Sequence, residues 1–390
     1  MSTRSPLAAS LASSAPAGRG PRVLLAAGGT GGHVYPAIAI ADAVRALRPD
    51  AEVRFAGTEG RMEATAVPKA GYALDFVPAV AFPRRLSIDL LRFPSRLWNA
   101  VAEARAVVDA FRPDVAVGTG GYVSGPVLWA AHRAGVPVVV QEQNAFAGLT
   151  NRLLGRVAEE VHVAFEEAEG AFRRGVAVLS GNPVRASLTE GDRETRRLEG
   201  RGMFGVPEDV PLLLAFGGSL GAQRLNEALV EALPRVLDTL PDAHAVWATG
   251  PRYFARVQAA VHHPRLHLVE YLDRMDLAYA AADLAVARAG AITCSELMVT
   301  ATPSVLVPSP NVAEDHQTHN ARALERADAA VLLPETRLAD LADTLTALLV
   351  DRGRRLHMAR AARGLARISA ARVIAGRVLA LATARMQAHA

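Results

Sequence analysis

The stretch Val23-Leu24-Leu25-Ala26-Ala27-Gly28-Gly29-Thr30-Gly31-Gly32-His33 decides the fold. Five apolar residues read as a buried strand, a glycine turn follows, and the apolar periodicity from Pro36 to Ala43 reads as a helix. The same grammar returns 189 residues on: Leu212-Leu213-Leu214-Ala215-Phe216, then Gly217-Gly218-Ser219-Leu220-Gly221-Ala222, then a helical stretch from Leu225 to Leu233. Glycine lets the backbone take positive φ and approach a ligand, while a helix N-terminus offers unbonded N–H groups and the positive end of its dipole. Such turns hold phosphate. One alone is weak evidence, because any α/β protein uses glycine there for geometry. Two in the same context predict an α/β protein with two Rossmann-like halves facing one ligand cleft.

A chain of 390 residues, 51% of them apolar, has enough material for two domains. Apolar runs such as Val136 to Val140 stop far short of a membrane span, so no transmembrane helix is expected. Residues 1–20, rich in Ser, Ala, Pro and Gly, read as a disordered tail rather than a signal peptide. Cys294 is the single cysteine, which excludes an internal disulfide and fits a reducing cytosol; it reads as a small buried hydrophobe rather than a nucleophile. The net charge of +4 and pI near 9.6 raise the question of nucleic acid. The basic residues are scattered and nearly all Arg, with Lys69 the only lysine, which argues against a nucleic-acid surface. A mild positive balance suits anionic substrates and anionic membrane surfaces.

Further strands are expected at Glu52–Ala56, Val115–Gly118, Val136–Gln141, Val161–Ala164, Ala177–Ser180, Ala245–Ala248, Leu266–Val269, Leu284–Ala287 and Ser304–Val307. Their continuous Val/Leu/Ala character is that of parallel strands covered on both faces. The turn Gly181-Asn182-Pro183-Val184-Arg185 reads as the domain boundary. The expected division is therefore a first domain over 21–184, a second over 185–369, and a helix over about 370–390 that packs back on the first.

Several ordered motifs resemble the MurG family of bacterial glycosyltransferases, which add N-acetylglucosamine to the lipid-linked muramyl-pentapeptide precursor of peptidoglycan. They are Gly28 to Ala37, Gly118 to Pro126, Glu142-Gln143-Asn144 with Gly148 to Asn151, Gly181 to Arg185, Gly217-Gly218-Ser219, Arg288 to Glu296, and Asp315-His316-Gln317 with Asn320-Ala321. The resemblance runs from about residue 21 to the C-terminus. It implies the GT-B fold, two Rossmann-like domains with a deep interdomain cleft. It also implies transfer from UDP-N-acetylglucosamine to the C4 hydroxyl of the MurNAc of lipid I, with inversion and without a metal or other cofactor. A peripheral position on the cytoplasmic face of the cell membrane follows from the lipid acceptor. Other cell-wall or division proteins are open as partners.

The residue chemistry runs beside this. Many sugar-nucleotide transferases hold a metal on Asp-x-Asp, a motif this sequence lacks. Charge on a departing diphosphate then has to meet glycine-turn amides, a helix N-terminus and an arginine. Arg185 is the matched arginine; without its Gly-Asn-Pro frame it would read as a surface ion pair. Glu296 suits either the ribose hydroxyls or an ordinary helix-start carboxylate, and the resemblance implies the ribose. The resemblance further implies substrate contacts from Thr30, Gly31, Gly32 and Asn144, the last in an acceptor-side loop, and from Ser219, the backbone of Leu272, Ala291, Ile292, Thr293, Cys294, Ser295 and Gln317. Tyr122 and Asn151 fall on the acceptor side. His33 ends the first glycine turn and reads either as the general base or as a group binding only phosphate or acceptor; Glu142 is the runner-up base. Leu220 stands where many relatives have Gln, and Thr300-Ala301-Thr302-Pro303 lacks a glycine common before this Pro.

Between Phe82 and Trp98, apolar and aromatic residues interleave with Arg84, Arg85, Arg92 and Arg96. The pattern fits an ordinary packed amphipathic helix, and the lipid-linked acceptor raises docking on the anionic inner leaflet above it. The sequence leaves three rival functions. A nicotinamide oxidoreductase wants an acid at the end of the second strand, where Gly57-Thr58-Glu59 fits poorly. The others are a sugar-nucleotide epimerase of the same fold and an inactive sugar-nucleotide-binding module.

Overall fold

A computed structural model describes residues 19–78 and 88–389. The tail expected over 1–20 lies outside the described residues except for Arg19 and Gly20, and Arg19 pairs with the buried carboxylate of Asp114 at 2.6 Å.

The first sheet takes strands β1 (Arg22–Ala27), β2 (Glu52–Gly57), β3 (Ala73–Phe76), β4 (Val115–Gly120), β5 (Val138–Glu142), β6 (Glu160–Val163) and β7 (Ala177–Leu179) in the order β3-β2-β1-β4-β5-β6-β7. It is parallel from β3 through β5. The second sheet takes β8 (Leu212–Phe216), β9 (His244–Ala248), β10 (Leu266–Val269), β11 (Leu284–Ala287), β12 (Ser304–Leu306) and β13 (Ala330–Leu332) in the order β10-β9-β8-β11-β12-β13, parallel throughout. In both, the glycine-turn strand lies inside the sheet beside the point where strand order reverses, where α/β folds place their ligands.

Burial explains the strands. Val23 to Ala26 and Leu212 to Ala215 are closed off on both faces, as helix-covered parallel strands must be. On the first sheet, Val34, Ile40, Ala41 and Val44 of helix Gly31–Leu47 pack with Val23, Leu25, Val117 and Val139. Ile374, Val378, Leu379 and Ala382 of the C-terminal helix Ala370–Ala388 join the same core. On the second, Leu225, Leu229, Leu233 and Val236 of helix Gln223–Thr239 pack with Trp247, Val286, Val305 and Leu345. A fully buried leucine contributes about 1.5 to 3 kcal/mol, so these faces hold the helices in place.

The described residues form two compact units. One holds those up to Gln141, Leu153–Val161 and those from Ala371 on; the other holds Glu142–Arg152 and His162–Ala370. The turn Gly181 to Arg185, expected as the boundary, sits within the second unit, where Asn182 donates to the Gln143 carbonyl and the Ser295 hydroxyl. Two strands go unread in the sequence. β3 is a four-residue strand with mixed exposure, and β13 has three residues, too short for a periodic signal. The glycine missing before Pro303 is replaced by strain: Ala301 takes the left-handed conformation (φ 51°) and caps helix Ala291–Thr300, donating to Leu297 and Met298 carbonyls.

Candidate active site

The first glycine turn is held from two sides. The β1–β4 register shifts by one residue between Ala26 and Ala27, which brings Gly120 opposite Ala27. Gly121 (φ 83°) then lies so close to the first turn that a Cβ on it would stand 2.3 Å from the Gly28 carbonyl oxygen. Only glycine fits. On the β2 side the fully buried carboxylate of Glu63 accepts the Gly29 amide through Oε2 and the Thr58 amide through Oε1, both at 3.0 Å.

This carboxylate weighs against a nicotinamide dinucleotide on the first turn. A dinucleotide pyrophosphate needs the turn amides and repels negative charge beneath them. Here the Gly29 amide already bonds a carboxylate. Gly31 and Gly32, in the first helical turn, keep amides without an intrahelical acceptor. Thr30 is the extended N-cap residue, its carbonyl accepting from His33 and Val34.

His33 follows in that helical turn. Its Nδ1 lies 3.0 Å from the Thr119 carbonyl, an acceptor that fixes Nδ1 as the protonated nitrogen. In that tautomer Nε2 carries the lone pair, the form a general base needs. Thr119 also donates its hydroxyl to the His33 carbonyl at 2.8 Å. Tyr122, directly after the Gly120-Gly121 pair, is half exposed.

In the second unit, Arg185 and Glu296 meet. Arg185 Nη2 lies 3.1 Å from Glu296 Oε1, and the Tyr279 hydroxyl donates to Oε2 at 3.0 Å. Glu296 and Tyr279 are buried, whereas half of the Arg185 side chain is exposed. Burial pushes the Glu296 carboxyl above its usual range, with Arg185 and the Tyr279 bond pulling the other way. Burial next to that carboxylate sends the Tyr279 hydroxyl far up, so it stays a donor. Each carboxylate oxygen has one protein partner, and a carboxylate accepts about four hydrogen bonds, which leaves capacity for two ribose hydroxyls. Cys294 is buried with its thiol pushed up to about 12, the inert hydrophobe its sequence suggested.

Ala291, Ile292 and Thr293 open helix Ala291–Thr300 behind Gly290, which supplies no side-chain cap. Their amides therefore face outward with the dipole behind them. Leu272 is buried, and Ser219 and Leu220 are exposed on the second glycine turn. Gln317 accepts the Ser309 amide through Oε1 at 2.8 Å, closing the loop before it.

Glu142, the runner-up base, is a loop organiser by geometry. Its oxygens accept the Asn144 backbone and side-chain amides, the Gly148 amide and the Asn151 side chain, at 2.8–3.2 Å, and it is 1% exposed. Asn320, fully buried, accepts the Ala145 amide and donates to Asn144 Oδ1 and the Ala289 carbonyl. Loop Glu142–Asn151 is thus bolted to the segment that begins helix Ala291–Thr300. Sequence reading missed Glu63, Tyr279 and the role of Asn320. Glu63 had one signal, an acid shortly after the second strand.

The fold and these sites define a glycosyltransferase of the two-domain GT-B class. The glycosyltransferase family 28 N-terminal domain matches residues 23–163 and its C-terminal domain residues 212–375. A Salinibacter ruber protein named UDP-N-acetylglucosamine--N-acetylmuramyl-(pentapeptide) pyrophosphoryl-undecaprenol N-acetylglucosamine transferase is 55% identical over 93% of this chain and 98% of its own. A protein of the same name from Acetivibrio thermocellus is 40% identical over 88% of this chain and 94% of its own. The crystal structure of Acinetobacter baumannii MurG superposes with a TM-score of 0.73 at 28% identity, covering 92% of this chain and 99% of that one. The chain belongs to the MurG family. A putative UDP-N-acetylglucosamine 2-epimerase from Listeria monocytogenes, 16% identical with a TM-score of 0.65 over 90% and 94% of the two chains, shares the fold.

Proposed function

We propose that the protein transfers N-acetylglucosamine from UDP-N-acetylglucosamine to the C4 hydroxyl of a muramyl-pentapeptide carried on a polyprenyl diphosphate. The observation that carries this reading is identity of 55% over 93% of the chain to a transferase of that name, joined to an Arg185–Glu296–Tyr279 cluster beside an uncapped helix start. Glu296 takes the ribose hydroxyls. Arg185, the second glycine turn with Ser219, and the amides of Ala291 to Thr293 meet the diphosphate. Gln317 contacts the sugar, the Leu272 backbone the uracil, and Cys294 and Ser295 complete the donor helix.

His33 acts as the base. As the acceptor oxygen bonds the anomeric carbon, its proton passes to Nε2 and the bond from that carbon to the diphosphate oxygen breaks. A single displacement turns the α-linked donor into a β-linked product. Glu142 is the weaker base, because gaining a proton would disturb the four hydrogen bonds it accepts. It holds Asn144 and Asn151 in place on the acceptor side, with Tyr122. The absence of Asp-x-Asp supports a metal-free reaction. Transfer assayed with excess EDTA tests this: β-linked disaccharide on the lipid is expected, while loss of activity restored only by magnesium, an α-linked product, or epimerised donor without transfer would each overturn the reading.

The protein also docks on the inner membrane leaflet. Residues 82–87 of the expected docking segment lie outside the described residues; the rest enters helix Ile88–Phe111. That helix buries Ala100, Ala104, Val108 and Phe111, one face at helical spacing. Trp98 lies off this face, 76% exposed. No helix among the described residues is long and apolar enough to cross a membrane. Apolar insertion beside Arg84, Arg85, Arg92 and Arg96 gives binding that weakens with salt. Flotation with anionic vesicles checks this: Trp98→Ser is expected to reduce binding several-fold while activity on a short-chain acceptor is kept, and parent-like binding would move the surface elsewhere.

A further inference from the structure

Glu63 stands outside every role so far assigned to a side chain here. It opens helix Glu63–Lys69, is 0% exposed, and holds its charge on two backbone amides. Burying a carboxylate costs several kcal/mol unless its oxygens are satisfied, so such a group persists where its bonds fix something. What it fixes is the ends of two strands: Thr58 leaves β2, and Gly29 lies in the turn after β1. The packing is tight, because a Cβ on Gly28 would stand 2.7 Å from Glu63 Oε1 and one on Gly57 would stand 2.8 Å from Glu63 Cγ.

The contacts continue from there to the base. Gly28 supports Gly121 by backbone contact, and a Cβ on Gly120 would stand 2.6 Å from His33 Nδ1. Thr119 supplies the carbonyl that fixes the imidazole tautomer. A shift of the Gly28-Gly29 turn therefore moves Thr119 to Gly121, and with them the direction of Nε2. A displacement near 1 Å of a reacting group costs about a hundredfold in rate.

We propose that Glu63 is a positioning residue for proton transfer, setting His33 through the Gly28-Gly29 turn and the Thr119-Gly121 segment. The inference rests on the reading of His33 as the base. Glutamine keeps the shape of Glu63 but offers one acceptor oxygen, so its NH2 group faces one of the two amides, donor against donor.

The test is a cycle of four proteins: the parent, Glu63→Gln, His33→Ala and the double variant. Turnover is measured at saturating donor and acceptor, and UDP affinity by calorimetry. Glu63→Gln is expected to lower kcat by about ten- to a hundredfold with UDP affinity within about twofold of the parent. The double variant is expected to be no slower than His33→Ala, because a positioning residue has nothing left to position once the imidazole is gone. A Glu63→Gln protein with parent kcat, or a loss that multiplies onto that of His33→Ala, would overturn the proposal while leaving His33 as base. Parent-like turnover in His33→Ala would instead remove the base reading, and the proposal with it. Should Glu63→Gln fail to fold, Glu63→Asp, which keeps both oxygens on a stem one methylene shorter, takes its place in the same cycle. A smaller, equally non-additive loss supports positioning, and parent kcat overturns it.

Discussion

The two glycine turns share a grammar and differ in what lies beneath them. Gly29 and Gly218 occupy the same place after their strands and adopt the same backbone, φ 90° and 88°, with open space where a Cβ would be. Beyond that they part. The first turn passes directly into helix Gly31–Leu47, rests on Gly121 beyond β4, and binds a buried carboxylate. The second makes a further tight turn, the Gly221 amide bonding the Gly218 carbonyl, and rests on Gly250 beyond β9. No acidic side chain is bonded to its amides among the described residues. Backbone geometry was duplicated; electrostatics was not. On this account the second turn serves a nucleotide diphosphate, and the first carries a base on a braced frame.

The largest effect expected from this contrast is on turnover. His33→Ala lowers kcat by about two to four orders of magnitude, the range of lost general-base help, measured in single-turnover transfer. Near-normal turnover there, with loss in Glu142→Gln, would transfer the base to Glu142.

On the donor side, Arg185→Ala is expected to weaken UDP-sugar binding and slow the chemical step, each by about tenfold or more, from the loss of a charge-assisted contact. A variant impaired in neither would confine Arg185 to its ion pair with Glu296. The pH dependence sharpens this. Since burial raises the Glu296 carboxyl, its ionised form, which the proposed ribose contact would use, is lost on acidification at higher pH than for an ordinary glutamate. UDP affinity should fall over that window in the parent and stay flat in Glu296→Gln. In stability the sign is opposite: the raised carboxyl favours the fold below its unfolded pKa, and that contribution is lost as pH rises through the folded one.

Smaller effects probe the frames. Gly221→Ala places a Cβ 2.1 Å from the Thr249 carbonyl oxygen at φ 73°, so a loss of about 1–3 kcal/mol is expected in denaturant unfolding. Parent stability would show that the turn relaxes at no cost. Ala301→Gly relieves a left-handed alanine and should stabilise by up to about 1 kcal/mol, read as a raised Tm. A lowered Tm would mean that the Ala301 side chain, which is buried, packs for more than its backbone costs.

Much of the frame was legible in the sequence, for reasons these residues make plain. Both turns, and the buried strands before them, are local patterns of apolar run and glycine. The motifs around Arg185 and Glu296 marked both residues as candidates. Their ion pair was not, since 111 positions separate them and only folding brings them together. Glu63 escaped for the same reason: an acid in a short helix says nothing of the Gly29 amide it serves 34 positions earlier. Glu142 shows the converse, a carboxylate in a recognisable motif whose burial and four donors the motif does not announce.

The central claim, that proton transfer belongs to the first glycine turn and nucleotide binding to the second unit, is tested most directly by titrating UDP calorimetrically into His33→Ala and Glu296→Ala. The account predicts parent affinity, within about twofold, for His33→Ala and a loss of about tenfold or more for Glu296→Ala. Weakened UDP binding in His33→Ala, with parent affinity in a folded Glu296→Ala, would contradict it.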